Sequence, residues 1–510
     1  VTFEVNGGSK VQAQKVKVGA VATKPSENPT KAGYTFGGWY MDRELTKVFD
    51  FTKGIEGNTT VYAKWFVISS GDSGSSSTPS TSEPTPKPTP TEEVKVLVNG
   101  KEEAIGKATN TQVGSQKVMT VTVDSKKLQE KLAAEGKKAV VTIPVNKDAD
   151  IIIGELNAQM VKNMQNEQAI VVIQTPTASY TLPASQINID AISTQIGKGI
   201  ALEDIKVQIE IAKPTNDMVK FVENVAQQGN FSVMVAPIEF TVKAVSAMKT
   251  VDVTSFNVYV QRTIAVPKDV EASKITTGIV VKQDGTTHHV PTKVIQKEGK
   301  YYAVINSLTN STYALVWNPI EFKDVANHWS KEAVNNLGSR MIINGVREGI
   351  FAPNQDITRA QFAAIIVRAL GLKTDDRTSH YEDVTTDAWY ASYINAASEY
   401  KLIQGYSNGN FGPNDKITRQ QAMTILARAL LLTDIDTTIS EQEAATILAA
   451  FIDEGQIAEY AKSPIAVAVK TGLVTGKANK TIAPTANISR AEVAVIIERF
   501  LKKAELINSK

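Results

Sequence analysis

Three rhythms of apolar and polar positions follow one another along the 510-residue chain. Over residues 1–65 short aromatic-rich runs alternate with period two, from Val1-Thr2-Phe3-Glu4-Val5 to Tyr62-Ala63-Lys64-Trp65, the pattern of half-buried strands. Asn6-Gly7-Gly8 reads as a hairpin turn after the first of them. From Ser69 the rhythm gives way to Ser, Thr, Pro, Gly and Glu, with Pro84, Pro86, Pro88 and Pro90 spaced by two, which predicts an extended linker over 67–93. Alternation returns over 94–318, as in Val118-Met119-Thr120-Val121-Thr122-Val123 and Val207-Gln208-Ile209-Glu210-Ile211. Three stretches there have helical spacing instead: Lys126 to Glu135, Leu156 to Glu167, and Met218 to Gln228. A strand-rich region of this size with few helices predicts one β-sandwich or two in series.

The third rhythm is a repeat. Segments 320–373, 379–433 and 440–503 share a template: an aromatic-x-Asp opening, a helical stretch, a Gly-containing loop, a Pro and a second helix. The openings are Phe322-Lys323-Asp324, Tyr381-Glu382-Asp383 and Phe451-Ile452-Asp453. The second helices start at Ile357-Thr358-Arg359-Ala360-Gln361, Ile417-Thr418-Arg419-Gln420-Gln421 and Ile488-Ser489-Arg490-Ala491-Glu492, which puts 35, 36 and 37 residues between opening Asp and entrance Arg.

Each entrance is a capping box. Thr358, Thr418 or Ser489 faces Gln361, Gln421 or Glu492 three residues later, so that hydroxyl and N3 side chain satisfy backbone amides reciprocally, while the preceding Ile staples the turn. Capping leaves the arginine unexplained, because the macrodipole disfavours a cation in the first turn by a few tenths of a kcal/mol. A nearby anion is therefore expected. It is either internal, such as an opening Asp, or a bound carboxylate received by free helix-start amides and the guanidinium fork.

These segments resemble S-layer homology domains. The first carries Phe322-Lys323-Asp324-Val325, His328-Trp329, Asn344-Gly345, Gly349-Ile350-Phe351-Ala352-Pro353 and Ile357-Thr358-Arg359-Ala360-Gln361. The second repeats the pattern with Asp383, Trp389, Gly405-Tyr406, Gly409-Asn410-Phe411-Gly412-Pro413 and Arg419. The resemblance implies an all-α pseudo-threefold helical bundle that binds acidic, pyruvylated secondary cell-wall polysaccharide in grooves between repeats. It also implies groove roles for Arg359, Arg419, Arg490, Asp324, Asp383, Asp453, Gly345, Gly405 and Gly476. The third copy departs from the pattern. Tyr460 stands at the Trp position, the loop Gly476 to Pro484 lacks the Gly-x-Phe ending, and a capped helix from Ser440 is inserted, so an altered groove is expected. Trp329 and Trp389 are read as core pillars. In the first module, Gly33-Tyr34-Thr35-Phe36-Gly37-Gly38-Trp39-Tyr40, Asp50-Phe51 and Tyr62-Ala63-Lys64-Trp65 resemble the Listeria–Bacteroides repeat, which implies a small β-grasp-like module over 1–66; its aromatics are read as core.

Composition narrows the function. Net charge is +2, too balanced for nucleic acid or anionic membrane as a general partner, and there is no cysteine. The four histidines, His288, His289, His328 and His380, show no metal spacing and read as surface or turn residues, and no metal or cofactor is expected. No apolar run approaches the ~20 residues of a membrane span. The chain opens in a strand pattern without Met or a leader, so a piece of a longer exported protein is expected. The picture is a non-catalytic wall anchor with a β-rich stalk or display region, located at the cell surface. The alternative is a fragment of an extracellular carbohydrate-active enzyme or adhesin, although Asp204, Glu210 and Glu239 show no marked carboxylate pair.

Overall fold

The computed structural model describes residues 1–509 apart from 26–27, 32–33, 44–48, 52, 68–91, 198, 248, 283–284, 375–376 and 434. Most of the expected linker lies outside the described residues; Glu92 and Glu93 already belong to a strand. The chain forms two compact units, the smaller holding residues 1–88 and the larger most of residues 89–510.

In the smaller unit Thr60–Val67 is the central strand. It pairs in parallel with Thr2–Glu4 and antiparallel with Tyr34–Tyr40, with a bulge between Phe36 and Trp39. The turn at Asn6-Gly7 has positive φ at both residues, but no hairpin forms, because the partner of the first strand comes from the far end of the module. Trp39 and Tyr40 are buried, with Trp39 edge-on to Phe3 and Phe36 at 4.8 and 5.2 Å. Burial raises the Tyr40 phenol to about 12.

In the larger unit every strand belongs to one hydrogen-bonded system, in place of the separate sheets that sandwiches require. The path starts at Thr287–Val290 and runs through Thr277–Val281, Ser311–Trp317, Ser232–Val245, Lys206–Ala212 and Ile151–Asn157. It continues through Gln116–Val123, Lys101–Val113, Glu92–Val98, Val140–Pro144, Ile170–Gln174, Ala178–Pro183, Ser255–Ala265 and Lys300–Thr309, and ends at Thr292–Lys297. Its two end strands are consecutive in the chain, separated by Pro291, so the sheet nearly closes on itself. The alternation that predicted the strands points Val207, Ile209 and Ile211 into the core and Gln208 and Glu210 away from it. The expected helices form at Ser125–Glu135, Ala158–Asn166 and Asn216–Gln228, capped by Asp124, Asn157 and Thr215. A fourth helix, Ile189–Ile196, is too short for its periodicity to stand out; its signal was Asn188, which caps Ala191 N–H at 3.0 Å.

Beyond residue 320 the regular elements are helical: Lys331–Ser339 and Arg359–Ala369, Ala391–Glu399 and Arg419–Ala429, then Glu441–Leu448, Glu459–Lys470 and Arg490–Lys503. The helix inserted from Ser440 is present, with Ser440 capping Glu443 N–H. The three segments before the entrance helices interlock. Ile357 N–H donates to Ile488 O, Ile488 N–H to Ile417 O, and Ile417 N–H to Ile357 O, closing a ring of three hydrogen bonds around buried isoleucines.

The helical repeats are docked on the sheet. Leu308 belongs to the helical core, Tyr259 Oη donates to Leu370 O at 2.8 Å, and Arg340 Nη1 to Thr292 O at 3.2 Å. Asn508 mimics a strand residue: its Oδ1 accepts from Val294 N–H at 2.8 Å and its Nδ2 donates to Val294 O at 2.7 Å, covering the edge strand 292–297. His289 lies buried in this region rather than at the surface, with Nδ1 2.8 Å from Thr277 Oγ1. Burial, seconded by the Arg340 charge, pushes its pKa well below the ordinary histidine value. A base with a depressed folded-state pKa contributes full stability above its unfolded value of ~6.5, and that contribution is lost as pH falls from there towards the folded value. We expect stability to drop below pH ~6.5 by up to about 1.4 kcal/mol per pH unit. Urea midpoints at pH 7.5 and 5.5 for the protein and its His289→Asn variant test this; an equal pH dependence in both would remove His289 as the cause.

Candidate functional site

The strongest candidate site is built by the entrance arginines, each of which reaches into the next repeat. Arg359 Nε donates to Phe411 O at 2.9 Å and Nη2 to Gln404 O at 3.1 Å. Arg490 repeats this on the first repeat, with Nε to Phe351 O at 2.8 Å and Nη2 to Asn344 O at 2.6 Å. Arg419 Nε donates to Ile482 O at 2.9 Å, but its Nη1 pairs with Glu492 at 2.7 Å. All three are 5–7% exposed. Burial lowers the Arg490 guanidinium from its ordinary value, with the Asp324 charge opposing.

The opening aspartates hold the same peptides from the other side. Asp324 accepts from Phe351 and Ala352 N–H, Asp383 from Phe411 and Gly412 N–H, and Asp453 from Ile482 and Ala483 N–H, at 2.7 to 2.9 Å. One residue per loop, Phe351, Phe411 or Ile482, thus has its amide on a carboxylate and its carbonyl on a guanidinium from the preceding repeat in the cycle. These charge-assisted bonds orient the loop dipole. For Arg359 and Arg490 the place of the expected anion is taken, on the inner edge, by two carbonyls, whereas Arg419 has one carbonyl and an internal anion, Glu492.

The helix starts are not open to an anion. Arg359 and Ala360 N–H donate to Asp415 and Pro413 O, Arg419 and Gln420 N–H to Ala486 and Pro484 O, and Arg490 and Ala491 N–H to Gln355 and Pro353 O. The next amide is taken by the capping boxes. Thr358 with Gln361 and Ser489 with Glu492 are complete. In the second, Gln421 accepts from Thr418 N–H at 3.0 Å while the Thr418 hydroxyl is buried without a bond of ordinary geometry. Contact with an outside anion is left to the outer nitrogens: Nη1 of Arg359 and of Arg490 has no protein partner among the described residues.

Gly345, Gly405 and Gly476 have a packing reason. A Cβ on Gly345 would stand 2.6 Å from Ile350 O, one on Gly476 2.5 Å from the Phe451 ring, and one on Gly405 would meet the Tyr381 ring. Each glycine lets the opening aromatic lie against the loop.

The reading of Trp329 and Trp389 as core pillars is overturned. They are 65% and 57% exposed, and Tyr460 at the equivalent position of the third repeat is 54% exposed. The core is filled instead by Phe322, Phe351, Tyr381, Phe411 and Phe451. Residues to which the sequence assigned no site role also lie at the site. Tyr406 lies 4.7 Å from the Arg359 guanidinium and donates its hydroxyl to Asp415 at 2.9 Å. Nine residues after each entrance arginine stands another: Arg368, Arg428 and Arg499. That spacing was available but reads as an ordinary last-turn cation.

Elsewhere, a cleft of about 1180 Å³ lies beside the first repeat, lined by Tyr301, Tyr302, Asn335, Asn336 and Arg340 among others. Its Glu271 is taken by Lys274 and Ser273 at 2.8 and 2.7 Å. Among the described residues no helix is long and apolar enough to cross a membrane.

The S-layer homology domain model matches residues 321–363, 380–423 and 451–494, and the Listeria-Bacteroides repeat domain model matches residues 1–64. Among curated proteins, the chain is 29% identical over 375 residues to an amylopullulanase of Thermoanaerobacterium thermosulfurigenes, covering 71% of the chain and 19% of that protein. It is 32% identical over 197 residues to an exoglucanase of Acetivibrio thermocellus, covering 39% and 18%. With the surface-layer 125 kDa protein of Lysinibacillus sphaericus it shares 34% identity over 180 residues, covering 35% and 14%. The matched part spans less than a fifth of each of these relatives. The chain carries three S-layer homology domains at its C-terminal end and a Listeria–Bacteroides repeat domain at its N-terminal end.

Proposed function

We propose that residues 320–503 anchor an exported bacterial surface protein non-covalently to an anionic secondary cell-wall polysaccharide, with the β-rich region as stalk or display platform. The observation that carries this reading is the pair of buried guanidiniums, Arg359 and Arg490, whose Nε and Nη2 rest on carbonyls while Nη1 has no protein partner, and no carboxylate lies in ion-pair range among the described residues. A largely desolvated guanidinium with one nitrogen unengaged suits the carboxylate of an acidic sugar, such as a pyruvate ketal, and an exposed aromatic suits the apolar face of a sugar ring. We read the ring of Ile357, Ile417 and Ile488 as the axis of a pseudo-threefold helical bundle, and the first module as β-grasp-like. The anchor itself has no catalytic role. The resemblance to an amylopullulanase and an exoglucanase favours a second reading, that the chain is a fragment of an extracellular carbohydrate-active enzyme whose activity lies in the β-rich region or in a part N-terminal to it.

Cosedimentation of the full chain with purified sacculi, before and after hydrofluoric acid strips the secondary polymer, tests the reading. Pelleting should be lost on stripping and weakened by salt. Pelleting that survives both would sink anchoring through an anionic polymer.

A further inference from the structure

The three inter-repeat grooves differ in charge, and the difference arises from single residues. In the groove of Arg359, two guanidiniums converge on one residue: Arg359 Nη2 donates to Gln404 O at 3.1 Å, and Arg428 Nη2 to Gln404 Oε1 at 3.2 Å. Arg428 also donates to Leu402 O at 3.3 Å. Neither arginine has a carboxylate within 4 Å among the described residues; Asp415, the nearest acid to Tyr406, is engaged by the Tyr406 hydroxyl. The exposed Tyr460 lies at the start of the helix Glu459–Lys470, which packs against the helix Arg419–Ala429 that carries Arg428; burial raises its phenol, and the charges of Arg359 and then Arg428 oppose this. Tyr406, 41% exposed, lies 4.7 Å from the Arg359 guanidinium.

The other grooves have a tryptophan, Trp329 or Trp389, at the repeat position of Tyr460, but not the two converging guanidiniums. Beside Arg490, the counterpart of Arg428 is Arg368, which is drawn aside by Tyr393 Oη, accepting from its Nε and Nη2 at 3.2 and 3.1 Å. Val346 stands where Tyr406 does. Beside Arg419, Glu492 neutralises the guanidinium at 2.7 Å, and Ile482 replaces the phenylalanine on which Arg359 and Arg490 stack at 4.6 and 4.4 Å. The first two repeats have neutral Gln361 and Gln421 at the Glu492 position.

We propose that the groove where Arg359 and Arg428 meet at Gln404 is the principal anion site of the chain, with Arg428 gripping the sugar carboxylate beside Arg359 and Tyr406 and Tyr460 flanking the ring, while Glu492 keeps the Arg419 groove silent. This ranking rests on the anchoring reading. It identifies the ligand as a monoanionic sugar whose charge projects from the ring edge, so that two cations meet it while aromatic walls hold the ring.

The test uses the full chain, sacculi carrying the secondary polymer, and four variants whose thermal unfolding is checked in parallel. Arg428→Gln should weaken binding about tenfold, the size of one charge-assisted contact, and Arg499→Gln, its counterpart in the Arg419 groove, less than about twofold. Tyr460→Ala removes an exposed side chain, leaves folding intact and should weaken binding about fivefold. Glu492→Gln keeps the capping box, frees Arg419 and should strengthen binding severalfold. If the unaltered chain does not bind sacculi, the anchoring reading falls and this ranking with it. If it binds but Arg428→Gln and Arg499→Gln have equal effects, or Glu492→Gln weakens binding, the ranking alone is overturned.

Discussion

Replacing Arg359, Arg419 and Arg490 together by alanine is expected to unfold the C-terminal repeats rather than yield a folded anchor that has lost its ligand. Each arginine is nearly buried and carries the fixed inter-repeat bonds to a loop of the next repeat. Truncation leaves buried carbonyls without donors, at a cost of about 1–3 kcal/mol per group. It also removes the clamp on peptides that Asp324, Asp383 and Asp453 hold from the far side. Three such losses approach the ~5–15 kcal/mol that stabilises a typical domain. The three sites share the Ile357–Ile417–Ile488 ring, so the losses should couple rather than act independently. Helical circular dichroism against urea measures the effect. A triple variant whose midpoint stays within about 1 kcal/mol of the parent would show that the carbonyl contacts are incidental and return the arginines to a purely ligand-facing role. Loss of wall binding in that triple variant would therefore say little about the ligand, whereas Tyr460, an exposed side chain, and Arg428, whose ties to Leu402 and Gln404 stay within its own repeat, can report on it.

The repeat was legible because it is local. An aromatic-x-Asp opening and a capping box declare themselves within a few residues, and the structure has all three boxes, the second with a less well aligned Thr418 hydroxyl. Apart from Glu492 beside Arg419, the partners of the arginines were not legible, because they are backbone carbonyls 45 to 146 residues away and a carbonyl has no sequence identity. The same limit applied to the sheet. Alternation located its strands, but it carries no register, and the pairing of Ser255–Ala265 with both Ala178–Pro183 and Lys300–Thr309 depends on contacts far apart in the chain. Trp329 and Trp389 were misread for a physical reason: large aromatics default to the core, yet Phe322, Phe351, Tyr381 and Phe411 already fill it and leave the tryptophans outside. In the first module, where few other apolar residues compete, the same default held for Trp39 and Tyr40.

Arg262→Ala is expected to be the most damaging single substitution in the β-rich region. Arg262 is 0% exposed and has no acidic partner within ion-pair range among the described residues, so its charge is balanced by dipoles and rings. Nη1 donates to Val260 O at 2.7 Å and Ser307 O at 3.2 Å. Nη2 donates to Thr309 O at 2.7 Å and to Tyr180 Oη and Asn310 Oδ1, both at 3.1 Å. The rings of Tyr180, Tyr313, Phe256 and Phe240 surround the guanidinium at 4.8 to 6.0 Å. The site lies where the strand Ser255–Ala265 shifts register against Lys300–Thr309, between Ser255 and Val260. The carbonyls of Val260, Ser307 and Thr309 converge there, Thr309 O also accepting from the Tyr313 hydroxyl. The arginine fork answers those carbonyls, which a lysine cannot do from a single nitrogen. Arg262→Ala combines a large cavity with stranded acceptors and should cost about 3–5 kcal/mol. Arg262→Met fills most of the volume and removes a buried charge, so it should cost less, and the difference between the two variants measures packing apart from the polar network. Urea unfolding of the full chain, read by tyrosine and tryptophan fluorescence, provides both values. If Arg262→Ala falls within about 1 kcal/mol of the parent, the cage of carbonyls and rings does not support the sheet at that bulge.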